Sequence, residues 1–222
     1  MDFDSVTLAA STADLTEEPD AREHADCIEF RMDLADEPLA ALEAYDGELP
    51  ILATNRAEWE GGDAPDAGRL EALAEATAIE PVEAIDVELE SILEGDAEDV
   101  LETARERGVA TVVSAHDFEG TPPRGEIVST LTEARKHADV AKIAVTAESK
   151  ADTLALLSAT EQMTAHGDPV ATMAMGELGS HTRAVAPVYG SKIGYAPVDP
   201  GKATAPGQYD LETLSRLVAD LG

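Results

Sequence analysis

The stretch TVVSAHDFEGTPPRGEIVSTLTEARKHADVAKIAV, residues 111–145, holds the pattern on which the fold turns. Its ends, 111–115 and 140–145, are short β-rich apolar runs that suit strands. Between them Ile127, Leu131, Ala134 and Ala138 recur at the spacing of one helix face. The same alternation continues in both directions. Further apolar runs occupy 6–10, 27–32, 51–55 and 84–89 on one side, and 170–175 and 191–195 on the other, with starts 21, 24, 33, 27, 29, 30 and 21 residues apart along the chain. Leu70, Leu73, Ala74 and Thr77 make another helical stripe; Leu211, Leu214, Leu217, Val218 and Leu221 make the last, with Asp210 as its N-cap. After the seventh run only a short helix around 180–186 fits.

Eight strands alternating with eight helices predict an α/β fold, a single-domain (β/α)8 TIM barrel over 1–222, near the minimum length for that architecture. A doubly wound open sheet is the competitor. Its nucleotide-binding first turn is Gly-rich, whereas here that turn reads Ala10-Ser11-Thr12-Ala13, and no GxGxxG or GxxxxGK[ST] occurs.

Composition narrows the function. Hydrophobic residues make up 44% of the chain, enough for a core, and the single cysteine, Cys27, excludes a disulfide scaffold or a CxxC site. No apolar run approaches the roughly 20 residues of a membrane span, and the acidic first residues do not resemble a signal peptide, so a cytoplasmic protein with no membrane partner is expected. Fifteen Lys+Arg against 46 Asp+Glu give a net charge of −31, which excludes a nucleic-acid binder. Thirty of the acids lie in residues 1–100, spread over folded segments, and lysines number five against ten arginines. Such a coat suits a salt-filled, halophilic cytoplasm, where screening removes self-repulsion; an ordinary acidic enzyme is the alternative.

In a barrel, chemistry sits at the C-terminal strand ends and the loops after them. Alternation on the second strand puts Glu29, Arg31 and Asp33 on one face, costly inside a barrel unless they meet each other or a polar ligand. A half-exposed antiparallel strand is the plainer explanation. Arg56 stands at the rim after the third strand, and Gly61-Gly62 allow a tight loop carrying Glu60 back over the mouth. The fourth strand carries Asp86 and Glu88 on one face, and the fifth ends in His116, an acid/base candidate. The sixth places Lys142 in mid-strand among apolar neighbours. A desolvated amine there suits imine formation with a carbonyl substrate; an exposed strand edge is the alternative. Arg183, after the seventh strand, suits a carboxylate clamp, and the loop 196–208 suits a lid or a plain connector.

Together EFRMD (29–33), TNRAEWEGG (54–62), IDVE (85–88), SAHDF (114–118), VAKIA (140–144), MAMGELGSHTR (173–183) and APGQ (205–208) resemble type I 3-dehydroquinate dehydratase over nearly the whole chain. The resemblance implies a TIM barrel with no metal or organic cofactor, commonly a homodimer, that dehydrates the small-molecule substrate 3-dehydroquinate to 3-dehydroshikimate by syn elimination in the shikimate pathway. By position, Lys142 resembles the imine-forming lysine, His116 the general acid/base and Glu60 its carboxylate partner. Glu29, Arg31 and Arg56 resemble groups that bind substrate hydroxyls and position the ring. Arg183 and Gln208 resemble the residues that hold the substrate carboxylate, and Asp86 a group supporting those that touch substrate. Thr204 stands where a serine is usual in the family, as does Thr182; no residue of the first strand is assigned. A class I aldolase or transaldolase is the nearest rival. A non-catalytic metabolite-binding barrel is another, and its signature would be loss of Lys142 or His116.

Overall fold

Each of the eight apolar runs forms a strand, and sequence neighbours from the first strand to the seventh pair in parallel. The computed structural model describes residues 1–202, 205 and 207–222. The strands are β1 (Thr7–Thr12), β2 (Cys27–Arg31), β3 (Ile51–Thr54), β4 (Val82–Glu88), β5 (Ala110–Asp117), β6 (Val140–Thr146), β7 (Val170–Met175) and β8 (Ile193–Pro197). β8 returns to pair with β1, from Thr7↔Ile193 to Ser11↔Pro197, and nearly closes the barrel. At the seam between β7 and β8 the described residues form no ladder. Two bonds bridge it instead: Lys192 N–H donates to Val170 O at 2.7 Å, and Thr172 N–H to Ser191 Oγ at 3.0 Å.

The helices follow their stripes. They are α1 (Glu18–Ala21), α2 (Pro38–Glu43), α3 (Arg69–Ala76), α4 (Leu89–Glu94), α5 (Glu98–Arg107), α6 (Arg124–Arg135), α7 (Lys150–Ala165), α8 (Thr182–Val185) and α9 (Leu211–Leu221). Two helices, α4 and α5, fill the β4–β5 crossover where the alternation predicts one. Asp210 caps α9 as expected, its Oδ1 accepting from Thr213 N–H at 2.9 Å.

Strand periodicity sorts the interior into levels. Ala9, Cys27, Leu52, Ala84, Val112, Val140 and Ala171 belong to one buried apolar cluster, the floor of the barrel. Two residues further along the same strands, the same face presents Ser11, Glu29, Thr54, Asp86, Ser114, Lys142 and Met173, all buried. The chain thus builds a dry floor and, one step above it, a polar level whose charges must satisfy one another or a ligand.

Candidate active site

Asp86 anchors the polar level. It accepts from Lys142 Nζ at 3.0 Å, Arg56 at 2.7 Å and Ser114 Oγ at 2.6 Å, so groups from the segment after β3, from β5 and from β6 meet on one carboxylate of β4. Burial alone would raise its carboxyl, but Arg56, Lys142 and the Ser114 hydroxyl outweigh it and hold Asp86 well below the usual carboxylate range. Lys142 is 5% exposed. Asp86 on β4 supplies its counter-ion from 56 residues away, a partner that the local reading of β6 does not reveal. The rim position expected for Arg56 is corrected: it is 4% exposed. It spans Asp86, Ser114 Oγ at 2.7 Å and Glu88 at 3.2 Å.

On β5, Ser114 pairs in register with Lys142, so His116 stands one inward step above the amine on the adjacent strand. The loop after β3 brings Glu60 to it. Glu60 Oε1 accepts from His116 backbone N–H at 2.8 Å and lies 3.1 Å from Nδ1. When Glu60 is ionised, Nδ1–H donates to its carboxylate and Nε2 keeps its lone pair for the cavity. The two glycines make this possible. Gly61 has φ +79°, and a Cβ there would meet the Phe118 ring at 2.5 Å; a Cβ on Gly62 would strike the Arg56 carbonyl. Phe118 uses that space to stack on His116, with centroids 5.8 Å apart and planes 8° from parallel. Burial pushes Glu60 up to about 7, against the pull of Arg56. Burial, with Arg56 and Lys142 nearby, pushes the His116 imidazole well below its ordinary value. At neutral pH it is a neutral base.

Glu29 accepts from Ser11 Oγ at 2.5 Å and Thr54 Oγ1 at 3.3 Å. Asp33 does not extend β2 as the third inward charge. The strand ends at Arg31, and the turn Met32–Leu34 folds Asp33 back to accept from Arg31 Nε at 2.8 Å and a terminal nitrogen at 2.6 Å. Arg183 differs from the other site arginines. It is 4% exposed, its Nε has no hydrogen-bond partner among the described residues, and burial alone pulls its guanidinium down to about 10. Thr182 holds it there, its Oγ1 accepting from Ala174 N–H at 2.8 Å and donating to Gly179 O at 2.7 Å. An uncompensated buried cation suits an anionic ligand.

These groups line a cavity that is open at its mouth. Glu29, Arg31, Arg56, Glu60, His116, Lys142, Arg183 and Gln208 border it; Asp86 stands behind Lys142, and Thr204 lies outside the described residues. Sequence reasoning missed Ser11, Ser114 and Tyr195, although inward parity on β1, β5 and β8 points to each. Among the described residues no group of three or more His, Cys, Asp or Glu is placed to hold a metal ion.

The family model for type I 3-dehydroquinase matches residues 4–221. A 3-dehydroquinate dehydratase of Haloarcula marismortui is 60% identical over 226 residues, covering 100% of this chain and 98% of the relative. The fold is similar to the crystal structure of 3-dehydroquinate dehydratase from Geobacillus kaustophilus, with TM-score 0.87, 29% identity, and coverage of 98% and 91%. It is equally similar to the type I enzyme of Clostridium difficile with covalent modified comenic acid, with TM-score 0.87, 27% identity, and coverage of 98% and 92%. A barrel carrying this site, matched along its whole length at such identity, belongs to the type I 3-dehydroquinase family, the hydro-lyases that dehydrate 3-dehydroquinate in the shikimate pathway.

Proposed function

We propose that the dehydration runs through an imine on Lys142, with His116 moving the protons. The observation that carries this reading is the buried Lys142 amine, held by Asp86 one inward step below an imidazole backed by Glu60. Nζ, once deprotonated, adds to the substrate ketone, and loss of water leaves an iminium. That electron sink acidifies the adjacent C–H. His116 Nε2 takes the proton, giving an enamine, and Glu60 stabilises the imidazolium. The enamine pair then expels the β-hydroxyl, which leaves as water with the proton from His116. Hydrolysis of the conjugated iminium frees product and restores Lys142. One base serves both steps when the two leaving groups lie on one face of the ring, the syn course.

Arg183 and Gln208 hold the substrate carboxylate, while Glu29, Arg31 and Arg56 bind its hydroxyls and fix the ring. Thr204 belongs to the same set. The covalently modified ligand of the Clostridium difficile relative supports covalent chemistry here. Borohydride added with 3-dehydroquinate tests the reading: the adduct should map to Lys142. An adduct on Lys136, or none while activity persists in EDTA, would refute it.

The net charge of −31 and the resemblance to a relative from a halophilic archaeon support a salt-rich cytoplasm as the working environment. Among the described residues no helix is long and apolar enough to cross a membrane. A homodimer completes the reading, tested by light scattering in molar KCl.

A further inference from the structure

Tyr195 plays no part in the steps above, and its hydroxyl is anomalous. The side chain is 4% exposed, and Oη is buried with no hydrogen-bond partner among the described residues. A buried hydroxyl without a partner destabilises a fold, and phenylalanine would fill the same space without that loss. The ring borders the cavity, and Lys142 Nζ stands over it, 4.6 Å from its centroid. Burial, with Asp86 and Glu29 nearby, holds the phenol well above its ordinary range, so it remains a protonated donor. Both carboxylates are already engaged, Asp86 by Lys142, Arg56 and Ser114, and Glu29 by Ser11 and Thr54.

We infer that Tyr195 is a further catalytic residue, its O–H donating to the oxygen of the carbonyl that Lys142 attacks. The inference rests on the imine chemistry proposed above. As the nitrogen lone pair bonds to carbon, the C=O π pair moves onto oxygen. That oxygen collects two protons and departs as water, so that ammonium and ketone yield iminium and water with no other reactant. A donor that meets that oxygen stabilises charge as it develops, and the phenol keeps its own proton throughout.

Tyr195→Phe keeps the ring and removes only the hydroxyl. Wild type and variant are mixed rapidly with 3-dehydroquinate in KCl, quenched with borohydride at intervals, and the Lys142 adduct is measured by mass spectrometry. The variant should form it about tenfold more slowly, the scale of one hydrogen bond. Its melting temperature should equal or exceed that of wild type. Equal adduct rates overturn this inference alone. A lower melting temperature also overturns it, because the hydroxyl would then belong to the fold. A wild type that forms no Lys142 adduct overturns the imine reading and this inference with it.

Discussion

Replacing Glu60 by glutamine removes a carboxyl that the fold holds in an unfavourable setting. Burial carries Glu60 from an ordinary 4.5 to about 7. At about 1.4 kcal/mol per tenfold change in proton affinity, that difference is about 3 kcal/mol. The sign follows from which state keeps the proton. The folded chain binds it more tightly than the unfolded chain, so the contribution is whole below about pH 4.5. It fades as pH rises and is lost above about 7. The glutamine amide does not titrate. The stability of wild type minus that of Glu60→Gln should therefore fall by about 3 kcal/mol between pH 4.5 and pH 8, while titrations common to both chains cancel. Urea unfolding in KCl measures it, since guanidinium would itself screen the acidic surface. Curves that stay parallel across this range would refute the argument. In activity, the variant should still form the Lys142 adduct but eliminate slowly, having lost the charge that supports an imidazolium.

His116→Ala should likewise keep the adduct and lose elimination by about 10²- to 10⁴-fold. Because Glu60 is pushed up to about 7 while the His116 imidazole is held well below its ordinary value, the acid limb of wild-type kcat should follow Glu60 and disappear in Glu60→Gln; a limb near 7 that persists in the variant would contradict the assigned environment. Arg183→Ala should weaken substrate binding by roughly 2–5 kcal/mol; an equal loss for an analogue lacking the carboxylate would exclude the clamp. Melting temperature should climb steeply with KCl as the Debye length falls from about 10 Å at 0.1 M to about 3 Å at 1 M, with residues 1–100 exchanging first on desalting; a flat series would contradict the halophilic reading.

Periodicity along one strand is a local property, and the strands, their parity and the inward placing of Glu29, Lys142 and His116 could be read from it. Partnership across the barrel is not local. Arg56 looks like a rim residue until Asp86, Glu88 and Ser114, 30, 32 and 58 residues later, close around it. Lys142 looks isolated for the same reason. Asp33 fits the alternation of β2 but obeys the turn that ends it, where a bidentate bond to Arg31 outweighs continuation of the strand. Ser11 and Tyr195 lie on strands whose other residues carry no chemical signal. Only the level they reach, beside Glu29 and under Lys142, gives them meaning.

The pairing of β8 with β1 has a consequence for the chain while the ribosome is still making it. Until residues 193–197 emerge, β1 and β7 are both bare sheet edges, each a template for joining another chain. Tyr195 and Gln208 are also missing then, so the growing polypeptide carries its lysine, histidine and paired arginines without a finished pocket. Of the 46 acids, 30 are already present once residue 100 has been added. Neighbouring nascent chains on one messenger therefore repel each other before either has covered its edges, and more strongly the lower the salt. In dilute buffer the coat that strains the completed barrel also holds incomplete chains apart, and molar salt screens both effects.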